Sequence, residues 1–223
     1  TECADVRTEP IPMLERPEGY ISSLLTSVLA PTESTSTPNS SASQENTTTP
    51  EGTTPEGTTP EGTMPDEEWD RLASEGLSFS LSSDRLSYAV TGIGSYQGQS
   101  VIIPAKLDGK PVTSIAADAF RNLSTITSVV IPDSVESIGD YAFYQCANLS
   151  SVEIYNGVSS VGEYAFANCS ALGIITLPNS VKTVANGVFS GCSSLTEVNL
   201  SAGMSEISDK LFAGCAALTK ITL

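Results

Sequence analysis

The chain has no histidine and few basic residues, and each absence argues against a class of function. Histidine is the commonest general base and metal ligand, so its absence removes the usual catalytic and metal-binding arrangements. Only 10 Lys and Arg stand against 26 Asp and Glu, a formal net charge of −16. Such a surface repels nucleic acid and anionic lipid, whose phosphates need basic side chains. No apolar run approaches the roughly 20 residues of a membrane-spanning helix. We therefore expect no catalytic residue, no cofactor, no metal, no nucleic acid and no direct membrane insertion.

The acidic residues are concentrated at the front of the chain. Residues 1–76 hold 15 acidic and 3 basic side chains, whereas residues 77–223 hold 11 and 7. Residues 1–30 have no assigned structure, except that apolar residues at helical spacing predict a short helix over 20–29. We interpret Thr1 and Leu223 as cut ends, with a signal and an anchor lying outside this fragment.

Residues 31–65 are built from Thr, Ser, Pro, Glu and Gly and include repeats of TPEGT. Without aromatic or branched aliphatic residues, such a segment cannot offset the entropy of ordering its backbone. We therefore predict a disordered Thr/Pro/Glu/Gly linker that acts as an extended spacer.

Residues 66–111 are predicted to form an N-terminal cap that leads into the repeats. Residues 77–81 (LSFSL) and 86–90 (LSYAV) alternate apolar and polar side chains, which is typical of half-buried strands. The turn-like SSDR between them predicts a β-hairpin that seals the first coil. Extra residues around LDGK are expected to form a protruding turn.

Residues 112–223 contain about five copies of one repeat. Phenylalanine recurs at positions 120, 143, 166, 189 and 212, and apolar residues keep the same register five positions before and nine positions after it. The members of these two columns are Ile115, Ile138, Val161, Val184 and Ile207, and Val129, Val152, Ile175, Val198 and Ile221. A fixed period of about 23 residues indicates a solenoid in the leucine-rich repeat range. Each L-x-x-V-x-I predicts one strand of a parallel ladder. Each V-x-x-I predicts a strand of a second, weaker ladder, and each AF-x-x-C predicts a short helical turn.

Four cysteines occupy one column of the repeat, three positions after each phenylalanine. They are Cys146, Cys169, Cys192 and Cys215, and Leu123 occupies the same column in the first unit. A slot that accepts leucine is apolar and interior, where free cysteine packs as a small hydrophobe. Zinc ligands must converge on one point, whereas these thiols lie along a line. We favour buried free thiols over a disulfide between adjacent coils or a metal site. Cys3 stands apart from this series.

The units IPDSVESIGDYAFYQCANLSSVEI (131–154) and LPNSVKTVANGVFSGCSSLTEVNL (177–200) resemble the BspA-like leucine-rich repeats of bacterial surface proteins. The resemblance covers residues 77–223. One repeat position that is usually proline, as at Pro132 and Pro178, is Tyr155 and Ser201 in two other units. The resemblance implies an α/β-type solenoid, a right-handed coil with short parallel strands. It also implies a bacterial, cell-surface or secreted module that binds partners rather than catalysing a reaction.

Candidate partner-binding residues are those that the strand pattern turns outward, together with two tyrosines on adjacent units. They are Ser128, Val130, Ser151, Glu153, Ile174, Thr176, Glu197 and Asn199, with Tyr141 and Tyr164. The strand set is small, mixed and without aromatic residues, which favours a protein partner on a host or another cell over a polysaccharide. Two alternatives stay open. One is an ancillary module of a larger secreted enzyme or cell-wall assembly, and the other is a structural spacer that stacks with another copy.

Overall fold

A computed structural model of the protein describes residues 75–223, which form a β-solenoid of about six turns. Within that range there are thirteen strands and no helix. Four predictions lie wholly or partly outside the described residues: the helix over 20–29, the linker over 31–65, the start of the 66–111 segment and the position of Cys3. Among residues 75–223, no helix long and apolar enough to cross a membrane is found.

The principal ladder contains one strand from each of the six described coils. Its members are β3 (Ser100–Ile102), β6 (Ser128–Ile131), β8 (Ser151–Ile154), β10 (Ile174–Thr176), β12 (Glu197–Asn199) and β13 (Lys220–Thr222). Pairing is parallel and keeps the register of the sequence repeat, for example Val129 opposite Val152. The strands form two groups, β3-β6-β8 and β10-β12-β13, and β8 and β10 are not paired within the described chain. The predicted parallel ladder is confirmed within each group.

The second ladder lies on another side of the coil and begins with the predicted hairpin. Its strands are β1 (Ser78–Leu81), β2 (Tyr88–Gly92), β5 (Lys110–Ile115), β7 (Ser137–Ile138), β9 (Ser160–Val161) and β11 (Thr183–Val184). Strands β1 and β2 pair antiparallel, and β2 then pairs in parallel with β5. The hairpin is therefore present at the predicted place. Its role as a cap stays a prediction.

The expected protruding turn is a short hairpin between β4 (Lys106–Leu107) and β5. Asp108 and Gly109 connect the strands with φ of 50° and 73°, the left-handed values of a two-residue type I′ turn. Both residues are exposed. Because of this insertion, the interval between Val101 of β3 and its partner Val129 is longer than the common period of the repeat. The first coil therefore lies in the segment assigned to the cap, which explains why about five units were expected.

The predicted helical turn around each phenylalanine is not confirmed, and with it the α/β class. In each coil, the residue two positions before the phenylalanine and the residue two positions after it have φ between 52° and 79°. They are Asp118, Tyr141, Tyr164, Gly187 and Lys210, and Asn122, Gln145, Asn168, Gly191 and Gly214. A left-handed residue cannot continue a right-handed helix, so the segment is a series of turns. Its alternate N–H groups donate to the next coil, for example Phe143 to the carbonyl of Ala165 at 2.7 Å.

The core is a spine of phenylalanine rings flanked by aliphatic side chains from both ladders. Rings of adjacent coils stack nearly parallel, with centroids 5.0 Å apart for Phe120 and Phe143 and 6.0 Å apart for Phe189 and Phe212. Phe120 through Phe189 are fully buried, whereas Phe212 is only partly so. The last described coil departs from the repeat, because Ile207 is 60% exposed although its column is interior elsewhere.

Candidate functional site

The tyrosine–arginine cluster, which comprises Arg121, Tyr141, Tyr144 and Tyr164, lies on the turn side of three successive coils. Tyr141 and Tyr164 stack with their centroids 5.5 Å apart, and Tyr144 meets Tyr141 edge-on at the same distance. The Arg121 guanidinium lies over both Tyr141 and Tyr144, 5.2 and 5.1 Å from their ring centroids. The sequence placed Tyr141 and Tyr164 on adjacent units as candidate partner-binding residues. The structure brings their two rings into contact and adds Arg121, while their binding of a partner stays a prediction.

Few ring faces in this cluster remain open. Arg121 comes from the preceding coil and Tyr164 from the following one, so both faces of Tyr141 are covered. The outer face of Tyr164 rests on Gly187, where a Cβ would lie 2.4 Å from the ring carbon Cε1. Gly187 is therefore required both by its φ of 64° and by the ring above it. What these two tyrosines leave for a partner is mainly ring edges and hydroxyl groups.

The charge of the cluster is partly balanced within it. Arg121 donates a hydrogen bond to Asp118 at 2.7 Å, and this bond raises the pKa of the guanidinium. The two side chains are 43% and 53% exposed, so the ion pair contributes little to stability. Its effect is to hold the guanidinium against the tyrosines, where a partner meets a fixed cation instead of a mobile one.

The amide groove is a depression of about 650 Å³ beside this cluster, lined by Asn122, Gln145, Ala147, Asn168, Ser170 and Gly191. It follows the left-handed column two positions after each phenylalanine, which places one side-chain amide on each of three coils. The φ of 76° at Gly191 suits glycine, and a Cβ there would lie 2.2 Å from Oδ1 of Asn168. The six lining residues are uncharged.

The strand face comprises the outward residues predicted from the sequence: Ser128, Val130, Ser151, Glu153, Ile174, Thr176, Glu197 and Asn199. All are half-buried or exposed, and Ile174 is 56% exposed. Cross-coil contacts engage part of this face. Glu197 accepts a hydrogen bond from Lys220 at 2.8 Å, which lowers the pKa of Glu197, and Asn199 donates one to Thr176 at 3.2 Å. The face has no aromatic residue.

The four described cysteines of the repeat are free thiols, and three of them are fully buried. Each donates a hydrogen bond to the carbonyl of the phenylalanine in the preceding coil, as Cys146 does to Phe120 at 3.0 Å. Burial raises the pKa of Cys146 and of Cys192 to about 12. The predicted packing role is confirmed, and the hydrogen bond adds a reason why cysteine suits the slot. Within residues 75–223, no three acidic, thiol or imidazole side chains group as metal ligands.

Two features of the turn side were missed from the sequence. Arg121 shares its column with Tyr144, Ala167 and Ser190, so its position has no repeated chemistry to signal a role. The amide groove had a signal, because Asn122, Gln145 and Asn168 recur with the period of the repeat. Asparagine and glycine are common where the backbone is left-handed, however, and that pattern alone indicates a turn.

Comparison with known proteins agrees with the geometry. Residues 113–223 match the model of the BspA type leucine rich repeat region, in six copies. No curated protein matches the chain.

Three solved structures, each aligned over 67% of this chain, are similar to it. A leucine rich repeat protein from T. pallidum is 28% identical, is covered over 80% of its length and superimposes with a TM-score of 0.55. A leucine rich cell surface protein from Faecalibacterium prausnitzii is also 28% identical, with 38% covered and a TM-score of 0.60. A leucine-rich repeat protein from Bacteroides ovatus is 26% identical, with 46% covered and a TM-score of 0.52. The chain thus spans less than half the length of the last two.

Proposed function

Since the chain belongs, through residues 113–223, to the BspA-type leucine-rich repeat family, we propose that it is a non-catalytic binding module, displayed at a cell surface or secreted, whose partner is a protein. One observation carries the choice of a protein partner. The tyrosine–arginine cluster presents hydroxyl groups, ring edges and a guanidinium that is held by Asp118. Tyrosine and arginine dominate the energetic centres of protein–protein interfaces.

Other features support binding over catalysis. The chain has no histidine to activate a nucleophile, and the turn side is a shallow, open surface instead of a deep cleft. The similarity to a cell surface protein of F. prausnitzii supports display outside the cell, on a host-facing or cell-facing surface. In this proposal, the predicted linker at 31–65 acts as the spacer that holds the solenoid away from its anchor.

The proposal places the partner on the turn side in preference to the strand face. Three of the strand-face side chains, Thr176, Glu197 and Asn199, are already engaged across coils. Exposed ion pairs such as Glu197 with Lys220 add little to binding when they lie at a rim. The strand face therefore serves as the matched control in the test.

The test screens the full chain against purified extracellular-matrix proteins and a glycan array, and then compares two double variants. Arg121→Ala with Tyr144→Ala removes half the cluster at positions outside the left-handed columns, so the backbone is not perturbed. Glu197→Ala with Lys220→Ala removes the ion pair of the strand face. We expect a protein ligand whose Kd rises about tenfold or more in the first variant and about threefold or less in the second.

Two outcomes would refute the proposal. One is binding confined to glycans. The other is an Arg121/Tyr144 variant that binds the protein ligand as the parent does, with an unchanged melting temperature.

A further inference from the structure

We propose that the amide groove holds an extended stretch of the partner polypeptide by its backbone, while the adjacent tyrosine–arginine cluster contacts that partner's side chains. This inference rests on the proposed function, because it presumes a protein partner. It adds a second recognition surface, which is formed by Asn122, Gln145 and Asn168. It also names the chemical groups that this surface binds, which are the peptide groups of the partner.

The three side-chain amides of the groove can both donate and accept hydrogen bonds. Each side-chain amide offers an NH₂ donor pair and a carbonyl acceptor, the complement of the N–H and C=O of a peptide group. In the described chain none of the three amides has a protein hydrogen-bond partner. This differs from Asn148, whose Nδ2 donates to the carbonyl of Ser124 at 2.7 Å. The groove thus presents three free amides in a row.

The groove favours the peptide backbone because it has neither a charged side chain nor an open aromatic face that would select another ligand. No charged residue lines it, so it has no group that pairs with an acidic or basic side chain. The facing rings of the stacked tyrosines are covered by Arg121, by each other and by Gly187, which leaves no open stacking platform there for a sugar ring. Uncharged amides beside closed aromatic faces suit peptide groups better than a polysaccharide.

The length of the groove sets how much of an extended chain it can hold. Coils of a parallel ladder repeat about every 4.8 Å, so three coils span roughly 10 Å. An extended polypeptide advances about 3.3 Å per residue, so the groove covers about three residues. Such a short contact contributes modestly by itself, and it therefore works together with the neighbouring cluster.

The repeat supplies a variant that removes the amides without disturbing the fold. Gly191 and Gly214 occupy the same left-handed column in the following coils. Replacing Asn122, Gln145 and Asn168 by glycine therefore reproduces a natural state of this column and preserves its φ. Asn168→Asp is the conservative companion, because it keeps the shape of the side chain while it replaces the NH₂ donor by a charged oxygen that only accepts hydrogen bonds.

The experiment uses linear twelve-residue peptides selected from a random display library on the full chain. We expect the triple-glycine variant to weaken binding of the selected peptides about tenfold or more, with an unchanged or higher melting temperature. N-methylation of the peptide backbone at alternate positions, which leaves its side chains intact, should weaken binding to a similar extent. Asn168→Asp should show a smaller loss in the same direction.

The outcomes separate this inference from the proposed function. If the triple-glycine variant binds like the parent while the Arg121/Tyr144 variant does not, the groove is not a peptide site and the proposed function stands. If neither variant changes the affinity, both fail. A failed selection, or glycan binding that the triple-glycine variant abolishes, overturns the inference in favour of another ligand.

Discussion

Replacing Gly157 by alanine tests how closely successive coils approach each other. Gly157 lies in the turn between β8 and β9. A Cβ there would lie 1.8 Å from the carbonyl oxygen of Asp133, and 2.5 and 2.9 Å from its carbonyl carbon and Cα. All three atoms belong to the backbone of the preceding coil, so no side-chain rotation relieves the collision. The two coils must separate locally, which stretches the ladder hydrogen bonds between β7 and β9.

The loss of stability expected for Gly157→Ala is compared with that of a second glycine, Gly173, at which a Cβ meets no neighbouring atom. Forcing an extra carbon into a packed site costs about 1–3 kcal/mol. A Cβ at Gly173 would meet no heavy atom within 4 Å, and Gly173 is not left-handed. Gly173→Ala should therefore stabilise the protein by about 0.4–1 kcal/mol, because alanine restricts the unfolded chain. The two variants should differ by roughly 1.5–4 kcal/mol, with Gly157→Ala the less stable.

Urea unfolding followed by circular dichroism measures this difference, and thermal melting checks it at about 2–4 °C per kcal/mol. The slope of the urea transition should be the same in both variants, which shows that the difference is one of stability. Equal stability of the two alanine variants would refute the close stacking of coils at Asp133 and Gly157.

Three further predictions follow from the core and the first coil. The ring of Phe166 is stacked on both sides, so Phe166→Ala should destabilise the protein by about 3–5 kcal/mol. Phe212 is partly exposed and has one ring partner, so Phe212→Ala should destabilise it clearly less in the same urea assay. Stability should fall as the pH rises above about 9, because burial raises the pKa of Cys146 and Cys192 to about 12 and the folded state keeps thiol protons that the unfolded state releases. The three fully buried thiols, Cys146, Cys169 and Cys192, should also resist Ellman's reagent, and rapid labelling of these three would contradict their burial. Deleting residues 78–92 should lower the melting temperature and promote self-association, seen by light scattering, because it uncovers the edge of β5; an unchanged melt would show that the hairpin is not a cap.

The interior of the solenoid was readable from the sequence because burial repeats with the coil. The phenylalanine and cysteine columns recur once per coil, and in each coil the side chain of such a column faces the shared core. Strand direction followed as well, since successive copies of one segment stack in parallel.

The turns around the phenylalanines were not readable, because their conformation is imposed by neighbouring coils. Asp118, Tyr141, Tyr164 and Lys210 are left-handed although none is glycine. The cost is of order 1–3 kcal/mol per residue, and the N–H groups that donate to the next coil offset it. A local pattern such as AF-x-x-C contains no information about those bonds, so a helical turn was the natural but unconfirmed expectation.

The candidate site was predicted only in part, for a related reason. Tyr141 and Tyr164 share a column, so their contact follows from the period alone. Arg121 joins them from a different column through side-chain length and direction, which a period cannot specify. The same limit applies to the first coil. The interval between β3 and its partner β6 is longer than the common period, so the period does not predict β3.

The claim that a partner is held by the turn side is tested most directly by hydrogen–deuterium exchange on the full chain, with and without a selected peptide at saturating concentration. We expect slower exchange in the segments that carry the tyrosine–arginine cluster and the amide groove, and unchanged exchange in β6, β8 and β10. Protection confined to those strands, with the turn side unaffected, would contradict it.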